Sequence, residues 1–114
     1  MIELAKHIEY LLLENDCVII PDFGGFIAHY QPSYYDEVEH VFMPPIRTIG
    51  FNPQLSMNDG LLVQSYMQAY HTDYSDAIRI ISGKVKELKE ILYTEGFFEL
   101  TGIGTLNYNI YRTY

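Results

Sequence analysis

The chain has 114 residues, of which 48% are hydrophobic and 19% are charged, and it carries a net charge of −8 at neutral pH. This composition excludes a disordered chain and fits one domain, or two very small domains that pack together. No apolar run approaches the ~20 residues of a membrane-spanning helix, the charged N-terminal stretch excludes a signal peptide, and the single cysteine excludes a disulfide framework.

In the first half of the chain, hydrophobic spacing predicts one helix and three strands. The helix covers 2–14 and the strands cover 17–20, 26–30 and 46–51. Between the second and third strands, segment 31–45 is predicted to be irregular, with an extended piece at 38–43. Pro32 and the Pro44-Pro45 pair break regular structure at its two ends, because proline cannot donate a backbone hydrogen bond.

The second half predicts two helices followed by a hairpin. The helices cover 57–70 and 75–93, and the strands cover 97–100 and 105–111. Helix 75–93 has the clearest pattern, since its apolar residues occupy one broad arc. Ser75 is the expected N-cap of this helix, and Asn58 or Ser56 that of the preceding one. Glu95-Gly96 is expected to end the long helix.

A segment of the chain occurs twice, 80 positions apart. Residues 8–30 align without a gap on residues 88–110. Their apolar and glycine positions match at Leu12/Leu92, Val18/Phe98, Ile20/Leu100, Phe23/Ile103, Gly24/Gly104 and Phe26/Leu106. Duplication predicts two related modules, 1–56 and 57–114, which would be only marginally stable separately and should share an interface. Two related modules in one small chain favour binding over catalysis.

Charge is distributed unevenly between the two halves. Residues 1–60 hold nine acidic and two basic residues, whereas residues 61–114 hold six acidic and five basic residues. Four of the bases lie close together and form a candidate nucleic-acid patch: Arg79, Lys84, Lys86 and Lys89. The alternative is that these side chains form the solvated face of a helix. Weak DNA binding through this patch is the second functional hypothesis.

Aromatic residues are abundant, with eleven tyrosines, six phenylalanines and no tryptophan. Several surround the irregular segment, and together with one arginine they form a candidate partner surface: Tyr30, Tyr34, Tyr35, Phe42 and Arg47. Tyrosine is enriched at protein interfaces because it offers contact area and a polar tip at low entropic cost. The alternative is that these rings cover the core of a small domain.

Residues that would indicate chemistry are sparse. The four histidines have no metal-ligand spacing with Cys17 or with paired carboxylates, and Cys17 itself opens an apolar strand, as a buried small residue does. The glycine turns lack the phosphate-binding motifs, and no nucleophile–base arrangement stands out. We therefore expect no enzyme, no catalytic or metal site, no cofactor and no small-molecule substrate.

At residues 61–108 the chain resembles the first half of the HU/IHF superfamily, which begins with helix, loop, long helix and a strand ending in Gly-Phe-Gly-Thr-Phe. The matching runs here are 102–106 (GIGTL) and 22–26 (DFGGF), and residues 46–53 are similar to the third HU strand and its exit. The resemblance implies an α+β fold of two tandem HU-like modules packed together, the second lacking its third strand. It also assigns structural turns to Gly24, Gly25, Gly102 and Gly104.

More narrowly, the acidic tandem arrangement resembles a bacterial HU-like family that is often found N-terminal to a SPOR domain and is related to HU-like domains of eukaryotic centrosomal coiled-coil proteins. This resemblance implies a cytoplasmic interaction module of an envelope-linked protein. A membrane or peptidoglycan link would come only through segments outside this chain, and a cytoplasmic location is in any case the default for a chain with one cysteine.

The departure from HU bears most directly on function. HU and IHF insert basic β-ribbon arms into the DNA minor groove. The corresponding segment 31–45 contains no Lys or Arg and carries Asp36, Glu37 and Glu39. Because phosphate neutralisation by basic residues supplies most non-specific DNA affinity, we expect that this arm does not bind a DNA duplex as HU does. We expect it instead to bind protein partners or to mediate self-association. HU proteins are dimers, so either the two modules form an intramolecular pseudo-dimer or the whole chain dimerises.

Overall fold

A computed structural model describes residues 4–107 of the chain. Within this range the helices are α1 (Leu4–Leu11), α2 (Leu61–Tyr70) and α3 (Tyr74–Glu95). The strands are β1 (Cys17–Ile20), β2 (Gly24–Gln31), β3 (Tyr34–Asp36), β4 (Val41–Met43), β5 (Ile46–Asn52), β6 (Phe97–Leu100) and β7 (Gly104–Asn107). They form an antiparallel sheet in the order β1-β2-β5 and two hairpins, β3-β4 and β6-β7. The predicted strand 105–111 lies partly outside the described residues.

Every predicted element is present, but the starts of α2 and α3 differ from the prediction. Side chains that accept backbone N–H groups determine where these helices begin. Helix α2 begins at Leu61, four residues later than predicted, and its N-cap is Gly60 rather than Asn58 or Ser56. The carboxylate of Asp59 accepts the Leu61 N–H at 3.1 Å just before this start. The N-cap of α3 is Asp73, whose carboxylate accepts the Asp76 N–H, so the prediction of Ser75 is wrong.

The prediction that segment 31–45 is irregular is also wrong. Strands β3 and β4 continue the β2–β5 pairing in the same register: Gln31 lies opposite Ile46, and three residues further on Tyr34 lies opposite Met43. The segment is therefore the outer part of one long two-stranded ribbon. The ladder is interrupted over two pairs, where Pro32 would face Pro45 and Ser33 would face Pro44, since proline cannot donate a backbone hydrogen bond.

The duplication seen in the sequence is also a duplication of structure. In the first copy Val18 pairs with Phe26, and in the second Phe98 pairs with Leu106, so β1–β2 and β6–β7 share one register. The turns match as well: the Phe23 N–H donates to Ile20 O at 3.1 Å, and the equivalent bond to Leu100 O is 2.9 Å. Apolar residues recur at the same positions because both copies need the same side chains to face inward.

The two modules share one hydrophobic core. A single cluster of buried side chains takes members from the first module (Leu4, Ala5, Ile8, Leu12, Val18, Ile20, Phe23, Phe26) and from the second (Leu62, Val63, Tyr66, Ala77, Ile81, Val85, Leu88, Leu92, Leu100, Leu106). Both helices of the second module and the sheet of the first contribute to it. The tandem modules therefore pack together as one folding unit.

Contacts between the modules are reciprocal, as they are across an approximate two-fold axis. The β6–β7 turn lies against α1, where a Cβ on Gly102 would overlap the carboxylate of Glu9. The equivalent β1–β2 turn lies beside α3, where Asp22 and Lys89 line one groove. At the 80-residue offset Asp22 corresponds to Gly102 and Glu9 to Lys89. A patch that meets its own counterpart in this way is the hallmark of an isologous interface, here within one chain.

Gly24 is expected to tolerate no side chain. A Cβ at this position would overlap Cζ of Phe51, whose ring packs on the core. Gly24→Ala should therefore lower the free energy of unfolding by about 1–3 kcal/mol through overpacking. Thermal or urea unfolding measures the change.

Gly83→Ala is the matched control, because a Cβ there meets nothing within 4 Å in the middle of α3. Alanine should raise stability at this site by up to about 1 kcal/mol. Equal effects of the two substitutions would contradict the tight packing assigned to Gly24.

Candidate interaction surface

The arm is defined here as residues 34–43, that is β3, β4 and the turn between them. On one of its faces the rings of Tyr35 and Phe42 lie directly opposite each other, with centroids 5.0 Å apart and planes tilted by 58°. Tyr34 pairs with Met43 on the other face. Phe42 is 80% exposed, and both tyrosines are also exposed. Apolar side chains thus occur on both faces of a two-stranded ribbon that has no core of its own.

The turn at the tip is built by Asp36. Its Oδ1 accepts the backbone N–H groups of Val38 and Glu39 at 2.9 and 3.1 Å, and His40 completes the turn with a φ of 54°. This turn places Val38, 86% exposed, at the end of the ribbon. Sequence reasoning did not select Val38 as a surface residue, because period-two alternation assigns no outward direction within a turn.

The arm carries negative charge beside its apolar side chains. Asp36, Glu37 and Glu39 lie at or next to the tip, and no Lys or Arg occurs between residues 31 and 45. An exposed ribbon edge is normally protected from aggregation by charge or proline; this arm carries acidic residues and is flanked by Pro32, Pro44 and Pro45. The combination disfavours a phosphate backbone and favours a partner that presents apolar and basic groups.

Arg47 does not belong to the free surface, although sequence reasoning grouped it with the aromatic residues. Its guanidinium donates to the backbone oxygen of Leu12, and to that of Asn15 at 3.3 Å, beyond the C-terminal end of α1. The same group lies 5.5 Å from the centroid of the Tyr30 ring. Arg47 therefore connects β5 to α1, and the positive charge complements the negative end of the helix dipole.

Arg47→Ala should consequently reduce stability rather than only partner binding. Loss of charge-assisted hydrogen bonds to two carbonyl oxygens is expected to lower the free energy of unfolding by about 1.5–3 kcal/mol. Urea unfolding of the variant measures this change. An unchanged midpoint would show that solvent replaces the guanidinium at these carbonyls without cost.

The four bases predicted as a nucleic-acid patch do not form one surface. Lys86 and Lys89 line the same groove of about 520 Å³ beside the β1–β2 turn, together with the exposed Tyr93. Lys84 lies on another side of α3 and lines a different groove. Arg79 makes an ion pair with Asp76 at 3.3 Å, one turn earlier on the helix. Only two of the four charges are thus brought together.

Features that would indicate catalysis are weak in the part of the chain that the structure describes. No group of three or more potential metal ligands occurs among residues 4–107. The pKa of Cys17 is raised by partial burial and by the nearby Asp59 carboxylate, which makes its thiol a poor nucleophile. Among the described helices, none combines the length and the apolar character that crossing a bilayer requires.

The fold and the repeat together define a tandem HU-like protein. Residues 1–59 match the family model described as CCDC81-like prokaryotic HU domain 1, and residues 60–114 match CCDC81-like prokaryotic HU domain 2. These matches cover the whole chain, so the protein belongs to the CCDC81-like prokaryotic HU family. No curated protein and no solved structure is similar enough to count as a match.

The matches confirm the HU-like resemblance and the α+β fold of two tandem modules. They divide the chain between residues 59 and 60, three positions after the boundary expected from the sequence pattern. The association with a SPOR domain stays a prediction.

Proposed function

We propose that this protein is a non-enzymatic HU-like scaffold whose arm binds a protein partner or a second copy of the chain. HU-like domains are architectural modules, and the first module here carries a two-stranded ribbon that contains neither Lys nor Arg between residues 31 and 45. The observation that carries the proposal is the chemistry of the arm: exposed Tyr34, Tyr35 and Phe42 beside three carboxylates, without a lysine or an arginine. A partner with apolar and basic side chains fits such a surface.

Loss of the arm rings should abolish partner binding without unfolding the protein. Tyr35→Ser combined with Phe42→Ser removes the cross-strand pair, whose rings contact no part of the core cluster. Tyr10→Ser is the matched control, because Tyr10 is 70% exposed on α1, away from the arm. Affinity capture from a lysate of the native organism, followed by mass spectrometry, should yield a protein retained by the wild type and by Tyr10→Ser but lost with the double variant.

Self-association through the arm is tested separately. Light scattering after size-exclusion chromatography should show an oligomer for the wild type that the double arm variant converts to a monomer. If the wild type is monomeric and the capture profiles of the three proteins are identical, the arm has no role in recognition and the proposal fails.

A second candidate is DNA binding through Lys86 and Lys89, which share one groove with an aromatic side chain. Labelled duplex DNA titrated at low and moderate salt should then bind with a steep salt dependence. The Lys86→Glu/Lys89→Glu variant should lose this binding, whereas Lys84→Glu, on another side of α3, should retain it. Tight binding with this pattern would favour a tether between nucleoid and envelope over the protein-binding scaffold.

The cellular setting is part of the same proposal. We expect the chain to act as the cytoplasmic part of an envelope-linked protein, with any membrane or peptidoglycan attachment supplied by segments outside residues 1–114. Fractionation of cells that express the full-length gene product, with detection of this module, tests the expectation. Recovery in the soluble fraction alone would contradict the envelope link and leave the role of the arm unaffected.

A further inference from the structure

Helix α2 of the second module covers a groove of the first module that lies between α1 and β1. The ring of Tyr66 stacks on His7 with centroids 4.1 Å apart and planes within 15°, and the Ser65 hydroxyl lies 2.6 Å from His7 Nδ1. Ile8 and Val18, which belong to the two walls of this groove, are completely buried. The position of α2 on these two elements is called here the first helix seat.

The segment that leads into α2 also covers the outer edge of β1. The Ile19 N–H donates to the Asp59 carboxylate at 3.2 Å, and the Asp22 N–H donates to Ser56 O at 3.1 Å. Because β1–β2 and β6–β7 share one register, Glu99 and Gly102 hold the equivalent edge positions in the second module. Residues 53–60 thus cover the outer edge of β1 in the first module. The equivalent edge in the second module is that of β6.

In the second module the elements equivalent to α1 and β1 are α3 and β6, and they form a groove that Leu4 and Ala5, at the start of α1, also line. This second helix seat has a volume of about 270 Å³, and its lining includes Lys84, Glu87, Ile91 and Phe98. At the 80-residue offset these four positions correspond to Leu4, His7, Leu11 and Val18 of the first module. No helix among the described residues covers the second seat as α2 covers the first.

Burial differs between the two seats, as expected when α2 covers the first and no helix within residues 4–107 covers the second. His7 is 3% exposed beneath α2, whereas its counterpart Glu87 is exposed. Val18 is fully buried, whereas its counterpart Phe98 is only partly buried and the neighbouring Phe97 is 54% exposed. The second seat therefore combines an apolar floor with a rim on which Glu87 and Glu99 outnumber the single Lys84.

We propose that the second helix seat binds an amphipathic helix of a partner protein, two to three turns long, with the apolar spacing of α2 and basic residues on its flanks. The pattern to match is that of the inward side chains of α2: Leu62, Val63, Tyr66, Met67 and Tyr70. Helix-in-groove recognition uses apolar anchors at this kind of spacing. Basic flanks complement the acidic rim. This site is separate from the arm and does not depend on its function.

A peptide derived from α2 is a direct probe. It comprises residues 58–72 with Gln64→Lys and Gln68→Lys, two positions that are exposed in α2, and carries a fluorophore. Anisotropy titration with the full chain should give saturable binding. Ile91→Glu should weaken binding by at least about tenfold, because a carboxylate would be desolvated on the floor of the groove.

Charge variants on exposed positions keep the test independent of folding. Glu87→Lys should weaken binding of the basic peptide by roughly three- to tenfold, whereas Glu90→Lys, an exposed position one turn later on α3 that lines the groove of Lys86 and Lys89 instead, should change it less than about twofold. The Tyr35→Ser/Phe42→Ser arm variant should bind the peptide as the wild type does. Failure of the arm proposal and failure of this one are thus distinguishable.

Three results would overturn the proposal. The first is no saturable binding by the wild type, and the second is binding that neither Ile91→Glu nor Glu87→Lys alters. The third is a wild-type dimer in light scattering that Ile91→Glu converts to a monomer, which would assign the second helix seat to another copy of this chain.

Discussion

Replacing Tyr66 with alanine should lower the free energy of unfolding by about 3–5 kcal/mol, the range for removing a large buried aromatic side chain. Tyr66 is fully buried. Its ring stacks on His7 of α1 at 4.1 Å and on Tyr70 of α2 at 5.6 Å, so it joins the first module to the second. The cavity left by alanine would open the shared core where the modules meet. Urea unfolding followed by far-ultraviolet circular dichroism measures the change.

Tyr66→Phe is the control that separates ring from hydroxyl. The Tyr66 hydroxyl oxygen is buried and has no hydrogen-bond partner among the described residues, so its removal should leave stability unchanged or raise it by about 1 kcal/mol. If Tyr66→Phe destabilised the protein as much as Tyr66→Ala, the hydroxyl rather than the ring would hold this site. A loss below 1 kcal/mol in Tyr66→Ala would show that the modules are not joined here.

The wild type and Tyr66→Phe should also differ in how their stability depends on pH in alkaline solution. Burial, together with the neighbouring Tyr70, raises the pKa of Tyr66 well above its usual value near 10. Above about pH 10 the unfolded chain releases the phenolic proton of Tyr66, whereas the folded chain retains it. The free energy of unfolding therefore falls as pH rises, by up to about 1.4 kcal/mol per pH unit. Tyr66→Phe should lack this component, and the difference between the two stability curves above pH 10 isolates it.

Elements that depend on local periodicity were predictable from the sequence, whereas the ends of the helices were not. Strand β1 agrees with the prediction residue for residue, because a short apolar run between polar turns has few alternatives. The start of α2 is late because Asp59 and Gly60 form the turn that precedes it, and the hydrogen bond from Ile19 to Asp59 holds that turn. Such a tertiary contact over 40 positions leaves no local signal in the sequence.

The arm and the basic patch show two different limits of sequence reasoning. Prolines at both ends of segment 31–45 indicated irregular structure, yet Pro32 faces Pro45, so the two breaks coincide and the ladder resumes beyond them. In the basic patch, Lys84 and Lys86 are neighbours in sequence but about 200° apart around the helix axis. Closeness of the lysines in sequence therefore suggested a denser positive patch than the helix surface carries.

Arg47 shows a third limit. Its charge and its aromatic neighbours indicated a surface role, whereas its hydrogen bonds lead back to Leu12 and Asn15 of the same module. Helix ends leave carbonyl groups without partners, and any basic side chain within reach competes with solvent for them. Leu12 and Arg47 are 35 positions apart, so the sequence does not indicate which helix end the Arg47 guanidinium binds.

Separating the modules should abolish folding of the first one. Residues 1–59 alone would lose α2, and with it the cover over Ile8 and Val18, both of which are completely buried in the whole chain. A fragment of that size buries too little apolar surface to compensate. We expect poor amide dispersion in its nuclear magnetic resonance spectrum and no cooperative melting transition, whereas the 114-residue chain should unfold in a single step.

Mixing the fragments makes this expectation specific. If α2 supplies the missing cover, adding residues 60–114 should restore dispersion and cooperative melting to residues 1–59, and Tyr66→Ala in the added fragment should prevent the recovery. A fragment 1–59 that melts cooperatively as a monomer on its own would contradict the shared core. The duplicated modules would then be two independent domains, and the reciprocal contacts of Glu9 and Asp22 would have no part in stability. Recovery on mixing would instead place the two-fold relation at the centre of the fold, because each module would need the other to bury its apolar face.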